Sequence, residues 1–257
     1  MNSRDTRDAV ATAQIIGDRD NQEDSLATYA IEPNTGEHSG ELLLILADGM
    51  GGHAGGEVAS RLVVESFAEA YVNSQAIIPD ALRSCLDSAN EQLARTVAES
   101  PGLRGMATTL IGCVVSDNLL YWISVGDSPI WVLRNGFIKR INADHSMVPV
   151  LEEMVRDGTL DREDALVDFR RNLLRSGVAG KTIELVDLCE APCPLEEDDL
   201  VILASDGVEA ITNDELVAVL AHPVGTSLPM LARDLMTRIE AAGHTGQDNA
   251  SVILYRH

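Results

Sequence analysis

The sequence predicts an α+β chain in which mainly antiparallel β-sheets pack on one another and carry helices on their outer sides. Three observations point there. Apolar runs of strand length come in blocks, without the regular strand–helix alternation of a parallel, doubly wound sheet. Asn135-Gly136 stands between two short apolar runs and is the turn chemistry of a tight antiparallel hairpin. The longer helical patterns gather in two places, after the third strand and before the last, which leaves them for the outside of the sheets.

In chain order, residues 10–16 and 26–31 read as short strands joined by the polar segment GDRDNQEDS. Residues 42–47 are a continuous apolar run of strand length that stops at Asp48-Gly49. The glycine-rich stretch GMGGHAGGE follows and leads into a helix over about 57–72. A second helix is marked by Pro79 in its first turn and by Leu82, Cys85, Leu86, Ala89, Leu93 and Val97 at spacings of three and four. Strands are expected at 108–115, 119–125, 130–134 and 137–141. From about 142 to 181 charges dominate, which predicts a mobile, flap-like excursion with a short helix near 148–156. Residues 183–188 and 200–204 are strands again, and Thr212-Asn213-Asp214-Glu215 has the spacing of a helix capping box. A helix over 227–242 and a strand over 250–255 close the chain. No Pro/Ser/Gly-rich linker intervenes, so residues 1–257 are expected to form one domain.

Composition excludes several function classes. The net charge is −22, from 41 acidic and 19 basic residues, and such a surface repels nucleic acid and anionic lipid. The opening MNSRDTRD lacks the apolar stretch of a signal peptide, and no apolar run is long enough to cross a bilayer. The expectation is a soluble, cytoplasmic protein, with a monomer as the simplest assembly. Cys85 and Cys113 fall in apolar patterns, and Cys189 and Cys193 have no second pair to complete a zinc site.

The chemistry sits where apolar runs stop. LLLILADG ends at Asp48, WISVGDS carries Asp127, LVILASDG carries Asp206, and Asp248 in GQDNASVIL precedes the last strand. Asp-Gly is common turn chemistry, so any one of these is weak evidence. Four together, each beside a buried run, would repel strongly unless cations hold them. All-oxygen donors select hard ions such as Mg²⁺ and Mn²⁺. Two such ions can hold a water and clamp phosphoryl oxygens for in-line attack. The segment after Asp48 lacks the Lys-Ser/Thr of a P-loop, and its glycines serve instead to turn the backbone and bring a carbonyl to a metal. Arg19, four residues before Glu23-Asp24, could fork onto a phosphate dianion, although an arginine in an acidic turn is usually an ion pair.

The chain resembles bacterial-type members of the metal-dependent protein phosphatase family, the type 2C serine/threonine phosphatases. The motifs that carry the resemblance are R-x-x-x-E-D at 19–24, DGMGGHAGGEVAS at 48–60, GMATT at 105–109, VGDS at 125–128, DHS at 144–146, ASDG at 204–207 and GQDNAS at 246–251. They occur in order over nearly the whole length. The resemblance implies a four-layer αββα sandwich with a metal cleft at one edge of two central sheets. It also implies that Asp48 bridges two metals, that Gly49 offers its carbonyl, and that Asp206 and Asp248 complete the second ion's protein ligands. Glu23 would act through a metal-bound water, Asp127 would share a third, weaker ion with Asp206, and Arg19 would bind phosphate. The implied reaction is hydrolysis of phosphoserine or phosphothreonine in proteins by a water bridging two Mn²⁺ or Mg²⁺ ions. The implied substrates are targets of bacterial-type serine/threonine kinases.

Three departures stand out. Met50 takes the place where many eukaryotic members have a histidine, so a metal-bound water is expected to protonate the leaving oxygen, with His53 as a substitute acid. Pro129 follows GDS where an arginine is usual, which puts the local loop geometry in question. The excursion carries Arg170, Arg171 and Arg175, expected on a solvated helix face. The rival reading is a catalytically silent relative that binds phosphoproteins or regulatory partners. Loss of a metal aspartate would favour that rival, and none is lost.

Overall fold

The 42–47 run is apolar at every position because both faces of its strand are covered. The computed structural model describes residues 9–31, 38, 40–51, 55–221 and 226–257. It begins with strands β1 (Val10–Ile15), β2 (Asp24–Ala30) and β3 (Leu42–Met50), followed by helices α1 (Gly55–Val72) and α2 (Ile78–Glu99). Strands β4 (Ala107–Thr108), β5 (Leu110–Ser116), β6 (Leu119–Val125), β7 (Ile130–Arg134) and β8 (Phe137–Arg140) come next. Helices α3 (Val148–Arg156) and α4 (Arg162–Val167) lie in the excursion, and the short strands β9 (Asp187–Leu188) and β10 (Cys193–Pro194) follow. Strand β11 (Leu200–Ala204), helices α5 (Asn213–Leu220) and α6 (Leu228–Ala242), and β12 (Ala250–Arg256) complete the chain.

Every pairing between these strands is antiparallel, and they form two sheets. One has the order β1-β12-β11-β7-β8, and the other has β10-β6-β5-β3-β2, with β4 paired to β3 and β9 paired to β6. Period-two alternation then assigns each side chain to a layer. Leu43, Ile45 and Ala47 of β3 pack under α1 and α2, while Leu42, Leu44 and Leu46 face the other sheet. Likewise Leu200, Ile202 and Ala204 of β11 pack under α5 and α6, and Val201 and Leu203 point between the sheets. Three apolar layers separate four structural ones, giving the αββα sandwich. Each fully buried leucine or isoleucine contributes about 1.5–3 kcal/mol.

Local signals were reliable where one short stretch decides the geometry. Asn135 and Gly136 both have positive φ (51° and 77°) and join β7 to β8 as a tight hairpin. The Thr212 side chain accepts from the Glu215 N–H while Glu215 accepts from the Thr212 N–H, a complete capping box worth about 1 kcal/mol. All four cysteines are free thiols. No helix among the described residues is long and apolar enough to cross a membrane.

Three expectations need correction. The strand expected over 183–188 shrinks to Asp187–Leu188, because only those residues find a partner, on β6. The strand expected at 108–115 breaks at Thr109, which instead gives its N–H to the Asp48 carbonyl. The excursion holds a second helix, α4, and Arg170, Arg171 and Arg175 lie beyond its end in turns rather than on a helix face. There Arg170 is occupied by Asp168, at 2.6 Å. His53 lies outside the described residues.

Candidate metal centre

Both sheets deliver carboxylates to the same rim. Asp48 is near the end of β3, and Asp24 opens β2 directly opposite it in register. Asp127 follows β6 in the same sheet. From the other sheet come Asp206, two residues past β11, and Asp248, two residues before β12. Arg19, Glu23, Asp48, Gly49, Asp127, Asp206 and Asp248 all line one cleft of about 250 Å³, with Met50, Gly51, Thr109, Asn172 and Leu174 completing its wall. The seven residues singled out in the sequence are therefore brought together.

Asp24 is the residue that sequence reasoning passed over. It is buried, and its Oδ2 accepts from Ser205 Oγ at 2.8 Å and from Ser251 Oγ at 2.6 Å, both on the opposite sheet. Its Oδ1 has no partner among the described residues. Asn249 makes a second suture, accepting from the Glu23 N–H at 2.7 Å and donating to the carbonyls of Ile16 and Asn21. Thr109 Oγ1 accepts from the Asp48 N–H at 2.9 Å and is hydrogen-bonded to Ser128. All of these side chains were visible inside E-D, ASDG, GQDNAS, GMATT and VGDS. What was missing is the contact between segments some 180 to 230 residues apart.

Gly49 and Gly56 explain the glycine-rich segment. A Cβ on Gly49 would lie 2.2 Å from the Gly56 carbonyl oxygen and 2.5 Å from that of Glu23. A Cβ on Gly56 would meet the Glu23 carboxylate at 2.7–2.9 Å. Close backbone approach here seats Glu23 beside the cleft.

The electrostatics are those of crowded acids. Burial, then the charges of Asp24, Asp206, Asp127 and Asp248, holds the Asp48 carboxyl well above the usual range. Burial and then Asp206 push Asp127 up to about 7. Asp24 is raised to about 6 by burial, with the Ser251 and Ser205 hydrogen bonds opposing. Asp206 is raised by burial and by Asp248, against a hydrogen bond with Asp48 and the charge of Arg19. Glu23 is raised by burial, with Arg19 lowering it. Arg19 Nη2 meets Asp248 Oδ2 at 2.5 Å. Among the described residues no three His, Cys, Asp or Glu side chains close into one finished coordination set. The donor set fits hard divalent ions: every group is oxygen, and each acid gains from positive charge.

A pH dependence follows for the protein in chelator. Folded pKa values of about 6 and 7 exceed the ordinary 3.8 of Asp24 and Asp127, so the folded state holds more protons than the unfolded one. Stability therefore falls as pH rises from about 4 to about 7. The melting temperature in chelator is expected to be lower at about pH 8 than at about pH 5, and Mn²⁺ at the higher pH should raise it again. A chelated protein that melts higher at pH 8 would contradict the crowded-acid picture.

The fold and the cleft together define a class, the metal-dependent protein serine/threonine phosphatases, which are phosphoric monoester hydrolases. The chain belongs to the protein phosphatase 2C family, whose model matches residues 16–236. The serine/threonine phosphatase Stp of Listeria welshimeri is 32% identical over 220 residues, covering 82% of this chain and 83% of that protein. The solved structure of the Mycobacterium tuberculosis phosphatase PstP has a TM-score of 0.79 at 28% identity, covering 96% of this chain and 97% of that one. The PstP catalytic domain in complex with two manganese ions has a TM-score of 0.75 at 27% identity, covering 96% of each chain. Its substrates are accordingly phosphoproteins.

Proposed function

We propose that the chain, working as one domain, hydrolyses phosphoserine and phosphothreonine in proteins by direct in-line attack of water in this cleft. The observation that carries the proposal is the convergence of strand-end aspartates from two sheets on one oxygen-lined cleft beside Arg19. Asp48, Asp206, Asp248, Glu23 and the Gly49 carbonyl would hold two ions, Mn²⁺ or Mg²⁺, with Asp127 and Asp206 offering a third, weaker place. The likeness to the manganese-bound PstP domain supports this choice. Such ions supply an activated water and positive charge over the phosphoryl oxygens.

The chain's own residues do the rest. Arg19, half exposed at the mouth of the cleft, presents a planar fork that matches two phosphate oxygens, and Asp248 orients it. Asp48, fixed through its N–H by Thr109 and through its carbonyl by Thr108 and the Thr109 N–H, holds its carboxylate at the centre. Asp24 keeps the two sheets, and hence the two halves of the site, in register. The Met50 side chain carries no transferable proton, so the leaving oxygen takes its proton from water. The substrates would be those of bacterial-type serine/threonine kinases, and the protein would act as a monomer.

The test is phosphate release from a phosphothreonine peptide with Mn²⁺, with Mg²⁺ and with chelator, alongside Asp206→Ala and Arg19→Ala. Metal-dependent release is expected, abolished in Asp206→Ala. In Arg19→Ala it should fall about 10²-fold, the scale for losing a charge-stabilising donor. No turnover with any metal in folded protein would overturn the proposal in favour of a silent phosphoprotein-binding module.

A further inference from the structure

Arg140, at the end of β8, is a cation that the reaction scheme leaves without a task. It is about four-fifths buried and reaches three separate segments. Its Nη2 donates to the main-chain carbonyl of Asp127 at 2.6 Å. Its Nη1 lies 3.6 Å from Asp144 at the start of the excursion and 3.9 Å from Glu209. Glu209 stands in the 3₁₀ turn Asp206–Ala210, whose first residue is itself a cleft carboxylate. Its Nε donates to Asn142 Oδ1 at 3.3 Å.

The Asn142 contact extends the arrangement. Asn142 Oδ1 also accepts from the Ile130 N–H at 2.8 Å, and its Nδ2 donates to the Ser128 carbonyl at 3.0 Å. The loop carrying Asp127 is thereby held at Asp127 itself and at the two positions Ser128 and Ile130 that follow it. Only the Arg140 guanidinium, among the described contacts, also spans to the turn carrying Asp206. Pro129, next to Ser128 in this loop, contributes no cation and no backbone donor of its own.

We propose that Arg140 is a positioning residue for the Asp127 carboxylate, locking its backbone against the segments that carry Asp144 and Glu209, so that Asp127 and Asp206 can share a cation. This rests on the phosphatase reading of the cleft. Two arguments carry it. A guanidinium is a rigid fork able to serve a carbonyl and two carboxylates at once, whereas an ammonium is a single point of charge. Groups that orient a metal ligand from behind commonly set metal affinity by about 10–100-fold.

The experiment is a calorimetric titration of Mn²⁺ into metal-stripped wild type, Arg140→Gln and Arg140→Lys, with Asp127→Ala as benchmark. Turnover of a small aryl phosphate is followed across Mn²⁺ concentrations. In Arg140→Gln the weakest class of Mn²⁺ sites should weaken about tenfold, towards the Asp127→Ala result, with the tighter classes within about twofold. At limiting Mn²⁺, kcat should fall while KM stays within about twofold, and excess Mn²⁺ should restore it. Arg140→Lys should weaken the same class less, by about threefold. Unchanged metal classes in a folded Arg140→Gln protein would overturn the proposal, as would equal weakening of every class. Should Arg140→Gln fail to fold, Arg140→Lys decides, and an unshifted weakest class overturns the proposal. Wild type that binds Mn²⁺ without turnover would defeat the phosphatase reading while leaving the metal titration to judge Arg140.

Discussion

Asp48→Asn is expected to abolish metal-dependent phosphate release and, in chelator, to raise the melting temperature. The two effects share one cause. Asp48 is ringed by Asp24, Asp206, Asp127 and Asp248, and burial and their charges hold its carboxyl far above the ordinary range. Ionising it in the folded protein is costly without a cation. Asparagine keeps the shape and removes that cost. The backbone stays fixed, because Thr109 Oγ1 accepts from its N–H and its carbonyl accepts from Thr108 and Thr109. The same substitution removes the ligand expected to touch both ions. Losing several kcal/mol of charge stabilisation at about 1.4 kcal/mol per decade lowers the rate by roughly 10³-fold or more. Melting curves with and without Mn²⁺ make the check. A variant that melts lower than wild type in chelator, or that Mn²⁺ still stabilises as strongly as wild type, would show that Asp48 is not the centre of the site.

Gly49→Ala is expected to be strongly destabilising, because the cleft has no room for one added methyl at this position. Its Cβ would lie 2.2 Å from the Gly56 carbonyl oxygen and 2.5 Å from the Glu23 carbonyl oxygen, both backbone atoms. Neither can move freely. Gly49 donates its N–H to the Glu23 carbonyl at 3.1 Å and pairs with Thr108 of β4, and Gly56 lies in the first turn of α1. Overpacking against fixed backbone costs about 3 kcal/mol, or roughly 6–12 °C in a chain of this length. Relief would have to come from displacing Glu23 or the Asp48–Gly49 backbone, so activity should fall with stability. Gly102→Ala is the control, since its Cβ meets nothing within 4 Å. Equal melting temperatures for the two variants would mean that the crowding at Gly49 is easily relaxed.

Much of the fold was legible because its signals are local. The hairpin at Asn135-Gly136 and the Thr212 cap each depend on a few adjacent residues, and both form as expected. The strand over 42–47 was legible through its length and its lack of polar positions, although it runs on through Asp48 to Met50 by pairing with β4. Where pairing partners decide, the reading slipped. Residues 183–186 have strand-like composition without a strand to pair with, and Thr109 leaves the ladder to hold Asp48. In the excursion, the short helix expected near 148–156 forms as α3, and Leu151 on it and Ala165 on α4 are buried.

The cleft divides in the same way. Asp48, Asp127, Asp206 and Asp248 could be selected because a carboxylate beside a buried run is visible in a handful of letters, whereas Glu23 was selected through the resemblance that the ordered motifs carry. Asp24 had the same visibility and was given no task. Its importance lies in two serine hydroxyls 181 and 227 residues further along the chain, brought to it by the stacking of one sheet on the other. Arg140 is the same case, an ordinary end-of-strand arginine until folding sets it between the Asp127 loop, Asp144 and Glu209. The sequence by itself determined which residues end the strands and so which carboxylates are available. Tertiary structure alone decided which buried groups hold those carboxylates in place, because hydrogen bonds between sheets depend on distances in space that no local pattern encodes.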